Sequence, residues 1–150
     1  MPTVNRSALV HYTPTQMYEL VNDVPSYPEF LPWCHSAKVL WSDADQVKAC
    51  IELAKGRLRK SFTTLNQLWP SEMINMHLVE GPFQRLEGVW RFKAMPDDAC
   101  RVSLALEFEF ASRLLKMTVG PIFNQLANSM VDAFVKRAQE VYGGSANHSH

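Results

Sequence analysis

Net charge is the first thing this chain lacks. Fifteen Lys and Arg balance fifteen Asp and Glu over 150 residues. No global field therefore draws it to nucleic acid or membrane, and any such partner must be met by a local patch. No apolar run approaches the ~20 residues of a membrane span. The start, Met1-Pro2-Thr3-Val4-Asn5-Arg6, lacks the basic lead and apolar stretch of a secretory signal. Cysteine is scarce: Cys34, Cys50 and Cys100 are widely spaced and form no C-x-x-C. They make neither a closed disulfide set nor a zinc site, and they predict a reducing, cytoplasmic setting.

What is present is ordinary globular material, with 47% apolar and 20% charged residues. The length suits one domain, expected over residues 1–143, with a polar, disordered tail at 144–150. The distinctive part is Val24-Pro25-Ser26-Tyr27-Pro28-Glu29-Phe30-Leu31-Pro32-Trp33-Cys34. Three prolines exclude a long helix or a central strand there. Yet Tyr27, Phe30, Leu31 and Trp33 carry too much apolar surface for a solvated loop. Such a segment either plugs the end of a core or lines the mouth of a cavity.

Around it the periods are clear. Residues 3–12 read as a first strand, with His11 inside it. Thr13-Pro14-Thr15-Gln16 opens a helix with a capping box, and Met17, Leu20, Val21 and Val24 follow at helical spacing until Pro25. Ser26 with Glu29 suggests a cap for a second short helix. From about 36 to 111 the period is two. Val102, Leu104, Leu106, Phe108 and Phe110 alternate with Ser103, Ala105, Glu107 and Glu109 in the plainest strand. Turn residues separate the strands at Ser42-Asp43-Ala44-Asp45, Lys55-Gly56, Pro70-Ser71, Gly81-Pro82 and Pro96-Asp97-Asp98. A helical ladder then runs from Val119 to Tyr142. The order predicts an α+β fold in which an antiparallel meander of about six strands wraps round one long C-terminal helix. Space for a pocket lies between them.

That order, with the proline segment and with Gly81-Pro82-Phe83, Leu86, Trp90, Phe92, Cys100-Arg101-Val102, Leu106-Glu107-Phe108-Glu109-Phe110 and Met130-Val131-Asp132-Ala133-Phe134, resembles the START-like, helix-grip superfamily of polyketide cyclase and lipid-transport proteins. Within it, the chain is similar to the branch of coenzyme Q-binding proteins and ribosome-association toxins, over residues 3–143. The resemblance implies a curved sheet of six to seven strands and two short helices after strand 1. It implies two activities: binding ubiquinone in support of respiration, or blocking association of the ribosomal subunits. A cyclase-type enzyme is the remaining family alternative. No cofactor is required; ubiquinone or a similar isoprenoid lipid is the expected ligand.

For a hydrophobic ligand the candidate lining is Tyr27, Phe30, Leu31 and Trp33, with Leu106 and Phe108 from the strong strand and Phe123, Leu126 and Met130 from the helix. Taken singly, each of these reads better as plain core. Each buried methylene contributes ~0.8 kcal/mol, so ten tail carbons supply about 8 kcal/mol, roughly micromolar binding. Lys55, Arg57, Arg59 and Lys60 form a basic cluster at a strand turn, suited to ribosomal RNA phosphates or to anionic lipid, and equally to a solvated turn. DNA is not an expected partner. A transient contact with a membrane surface, inner-membrane peripheral, is compatible with the cluster. Cys34-His35 are sequence neighbours that do not face each other, and His148 with His150 lies in the tail. No catalytic or metal residues are assigned, and the chain reads as a non-enzyme.

Overall fold

The computed structural model describes residues 3–143, so the predicted tail, with His148 and His150, lies outside the described residues. The elements are β1 (Thr3–Val10), α1 (Pro14–Asn22), a 3-10 helix (Val24–Glu29), β2 (Cys34–Ser42), β3 (Gln46–Lys55), β4 (Leu58–Trp69), β5 (Met73–Glu80), β6 (Phe83–Met95), β7 (Ala99–Phe110), α2 (Arg113–Thr118) and α3 (Gly120–Ala138), which ends in a π-helical turn (Gln139–Gly143). The seven strands form one antiparallel sheet in the order β1-β7-β6-β5-β4-β3-β2. Short hairpins join the neighbours from β2 to β7, and β1 closes on β7 from the far end of the chain. The register shifts at Cys34/Ser36, Val39/Trp41, Thr63/Thr64 and between Phe83 and Arg85. Such bulges bend a strand and raise its twist, which lets the sheet curve round α3.

Local chemistry explains the elements. Thr13 Oγ1 accepts from Gln16 N at 3.2 Å, and Thr13 N donates to Gln16 Oε1 at 2.8 Å, a complete capping box ahead of Pro14. In β7, Val102, Leu104, Leu106, Phe108 and Phe110 are buried while Glu107 and Glu109 face solvent, as period two requires. Gly81, at φ 153°, sits where a Cβ would lie 2.6 Å from the Phe62 Cβ, so the turn before Phe83 admits no side chain.

Two expectations need correction. β1 ends at Val10, leaving His11 in the bend beyond it. Ser26 does not cap the second short helix; it lies inside it and donates to Asp23 Oδ2 at 2.6 Å. The ladder from Val119 is α3, and only its last turn differs. A separate helix α2 precedes it, Val119 is the joint, and the α-helix gives way to a π turn after Ala138.

The core is an aromatic seam along α3. Phe123 meets Phe83 and Phe108 at 4.8 Å between ring centroids, and Phe62 at 5.9 Å. Three turns on, the wholly buried Phe134 meets Phe30 at 5.1 Å, Trp90 at 5.3 Å and Tyr27 at 5.5 Å. Replacing Phe134 by Ala is expected to cost about 3–5 kcal/mol, read as a lower denaturant midpoint. A loss under about 1 kcal/mol would show that this half of α3 stands outside the cooperative core.

Candidate functional site

Between the two aromatic anchors of α3 the packing is incomplete. Leu126, Ala127 and Met130 face Ala49 and Ile51 of β3, Phe62, Thr64 and Asn66 of β4, Met76, Leu86 and Leu106, with Tyr27, Leu31 and Cys34 closing the side. They enclose a cavity of about 50 Å³. That holds a few waters and falls well short of the ~300 Å³ at which pockets begin to take drug-sized ligands.

Of the residues singled out in the sequence, Tyr27, Leu31, Leu106, Phe123, Leu126 and Met130 line this cavity together. Phe30, Trp33 and Phe108 do not. Phe108 faces the same side of β7 as Leu106 but lies one step further along, in the Phe83, Phe110 and Phe123 cluster. Phe30 packs on Phe134 and carries the Arg137 guanidinium 5.0 Å above its ring, while Arg137 also pairs with Glu29 at 2.9 Å. Trp33 lies outside the wall, between the lining residues Leu31 and Cys34. Its φ of 64° is left-handed, a strained place for a bulky residue. Three contacts hold it there. Its Nε1 donates to Gln125 Oε1 at 2.9 Å, its carbonyl accepts from Ala54 N at 3.0 Å, and Lys55 Nζ stands 4.7 Å from its ring centre. Trp33 thus latches the β3–β4 hairpin to α3 beside the cavity.

Nine lining residues were not among those predicted, and two of them are polar, in a strand that reads as mixed. Thr64 and Asn66 are buried, and Thr64 Oγ1 donates to Asn66 Oδ1 at 2.9 Å. That bond commits the amide oxygen and leaves the amide N–H groups available on the cavity wall. Tyr27 donates its hydroxyl to Val21 O, and burial raises its pKa. Burial also pushes the Cys34 thiol up to about 11, as it does Cys100. Cys34 is therefore protonated near neutrality and poorly suited to act as a nucleophile.

Charge is sorted by the ends of the sheet. The end holding the β3–β4 turn, the β5–β6 turn and α2 presents Lys55, Arg57, Arg59, Lys60, Arg113 and Lys116, all exposed, with Glu52, Glu80 and Glu109 as acids at the same end. Loops at the opposite end carry Asp43, Asp45, Glu72, Asp97 and Asp98. Arg59 pairs with Glu52 at 3.8 Å and Lys55 lies against Trp33; Arg57 and Lys60 have no ion pair among the described residues.

A seven-stranded antiparallel sheet gripping a C-terminal helix, with an apolar cavity between them, defines a START-like helix-grip protein. The chain belongs to the family described as polyketide cyclase / dehydrase and lipid transport, whose profile matches residues 10–135. It is 49% identical to the ribosome association toxin RatA of Pseudomonas aeruginosa, over 93% of this chain and 97% of the relative. It is 29% identical to the mitochondrial coenzyme Q-binding protein COQ10 homolog B of Xenopus laevis, over 93% of this chain and 59% of that one. The solution structure of the 18 kDa protein CC1736 from Caulobacter crescentus superposes with a TM-score of 0.72 at 32% identity, covering 95% and 99% of the two chains. The Zhui aromatase/cyclase from Streptomyces sp. R1128 shares the fold, with a TM-score of 0.80 at 13% identity over 95% and 98%. No helix among the described residues is long and apolar enough to cross a membrane.

The latch makes a measurable claim. With its pKa near 11, roughly one Cys34 thiol in a thousand is ionised at pH 8, so disulfide reagents should label it slowly and faster as pH rises toward 11. Trp33→Ala should speed Cys34 labelling roughly ten-fold by freeing local opening, while leaving Cys100 protected. Equal acceleration of both thiols would indicate global unfolding and dismiss the latch.

Proposed function

We propose that this chain binds the ribosome and hinders association of its subunits. The observation that carries the reading is the β3–β4 hairpin, whose Arg57 and Lys60 stand exposed and unpaired at the cationic end of the molecule. Two guanidinium or ammonium groups at a hairpin tip are positioned to meet backbone phosphates, which reward charge without demanding sequence. The extensive likeness to proteins named ribosome association toxin supports it. A binding role fits better than catalysis, because Cys34 is held protonated and His35, its neighbour on the strand, faces solvent. Overproduction should raise free subunits at the expense of assembled ribosomes in sucrose gradients. Arg57→Glu with Lys60→Glu should relieve most of that effect, whereas Arg59→Glu, whose charge Glu52 already offsets, should relieve less. An unchanged gradient on overproduction would remove the proposal.

A second reading is favoured by one feature of the cavity. The Thr64–Asn66 pair places amide N–H donors in an otherwise apolar wall, which suits an isoprenoid ligand with a carbonyl head, such as ubiquinone. Entry requires the cavity to widen from its present size, and Met76 and Met130 are adaptable wall residues. Asn66→Leu keeps the branched outline and removes the donors. It should weaken binding of a quinone roughly ten-fold, the worth of one hydrogen bond, and leave binding of a carbonyl-free polyprenyl hydrocarbon unchanged. Equal losses for both ligands, or no quinone uptake by the unaltered protein, would count against this reading.

A further inference from the structure

Helix α2 has an outer face that the fold does not use. None of its residues is buried, and Leu114 and Met117 are 68% and 69% exposed. They lie three apart and so share a face, with Arg113 and Lys116 beside them at the same spacing. The helix is held in place by other groups. Ser112 Oγ caps it through Leu115 N at 3.1 Å, Thr118 Oγ1 donates to Leu114 O at 2.9 Å, and Leu115 packs against the core. Pro121, at the start of α3, is exposed just beyond. This is a short, anchored helix that offers two flexible aliphatic side chains and two cations to the outside.

Its surroundings select the occupant. α2 lies at the cationic end of the sheet, with Arg57 and Lys60, while the loops of the far end are acidic. We infer that α2 and the basic hairpin form a docking face for an anionic phospholipid bilayer. Leu114 and Met117 enter the boundary between headgroups and acyl chains, and Arg113, Lys116, Arg57 and Lys60 meet lipid phosphates. RNA fits α2 less well: Arg113 and Lys116 could meet its phosphates, but the exposed aliphatic Leu114 and Met117 gain nothing there. A second copy joined symmetrically through this face would bring two cationic ends together. The charge separation also orients the molecule, because a bilayer attracts one end and repels the other. The Trp33 latch is on this docked end, so the wall beside the cavity would face the lipid.

The inference shares Arg57 and Lys60 with the ribosome reading, and α2 variants in a flotation assay separate the two. Unaltered protein should float with phosphatidylcholine vesicles containing phosphatidylglycerol, not with phosphatidylcholine alone, and less at high salt. Leu114→Ser with Met117→Ser should reduce flotation roughly ten-fold or more through lost apolar burial. Arg113→Glu with Lys116→Glu should reduce it by roughly five-fold or more per side chain. Both variants should keep the unaltered melting temperature, since all four side chains are exposed. Should the serine pair melt early, Leu114→Gln alone provides the same comparison in a helix-favouring residue. Ribosome profiles should be unaffected by the serine pair. The docking face is overturned if the unaltered protein does not float, if the serine pair floats equally well, or if sedimentation shows that the serine pair merely dissolves a dimer while lipid binding persists.

Discussion

Everything about the interior follows from how α3 is pinned. Phe123 and Phe134 are three turns apart, ~16 Å along the axis, and each drives into its own nest of rings. The first nest gathers Phe62, Phe83, Phe108 and Phe110 from three neighbouring regions of sheet; the second gathers Tyr27, Phe30 and Trp90. With both ends fixed, the helix cannot settle closer to the sheet in between. There small and unbranched residues, Ala127 and Met130 with Ala49 and Met76, sit among the branched Ile51, Leu86 and Leu106. The cavity is the distance two aromatic clusters hold open and small side chains leave unfilled. Its polar pair is tolerable because Thr64 and Asn66 satisfy part of each other's hydrogen bonding.

The same geometry explains what was and was not legible in the amino-acid order. Strands announced themselves wherever one face is wet, as in β7, because alternation is then enforced at every step. The capping box before Pro14 was legible for a local reason, since its two hydrogen bonds span only four residues. The short helix α2 ahead of the terminal ladder was not, because none of its residues is buried and so no apolar face marks it. Cavity lining was half legible. Periodicity says which face a residue shares, so Leu106 and Phe108 look equivalent. Which one meets empty space depends on the aromatic anchor above it. Thr64 and Asn66 were invisible because their role depends on what lies across the sheet.

Trp33 joins the interior to the surface. The prolines before it restrict the backbone, and its left-handed φ is tolerated because Gln125, Ala54 and Lys55 each hold one part of it. These partners come from α3 and from the β3–β4 hairpin, the two bodies that must separate for the cavity to grow. Lys55 is therefore a structural member of the basic cluster, Arg59 is offset by Glu52, and only Arg57 and Lys60 are left for an outside partner. The proline segment is accordingly neither a plain plug nor an open mouth. Its inner residues Tyr27 and Leu31 form cavity wall, while Trp33 fastens that wall from outside.

Net neutrality conceals the most consequential property of the surface. Equal numbers of cations and anions say nothing about placement, and an antiparallel meander separates its turns into two sets at opposite ends. Cationic turns and α2 fall on one end and acidic turns on the other, so a chain with no net charge still sorts the charge of its turns. A phosphate-rich partner, whether ribosomal RNA or lipid headgroup, would be met by the same end through the same Coulomb attraction. What divides those partners is the chemistry beside the charge. Arg57 and Lys60 have polar surroundings suited to a phosphate backbone, whereas Arg113 and Lys116 flank exposed Leu114 and Met117. Leu114 and Met117 gain little against RNA and much in a bilayer boundary. One end of the molecule thus offers the same sign of charge to either partner, and the apolar content of α2 is what divides them.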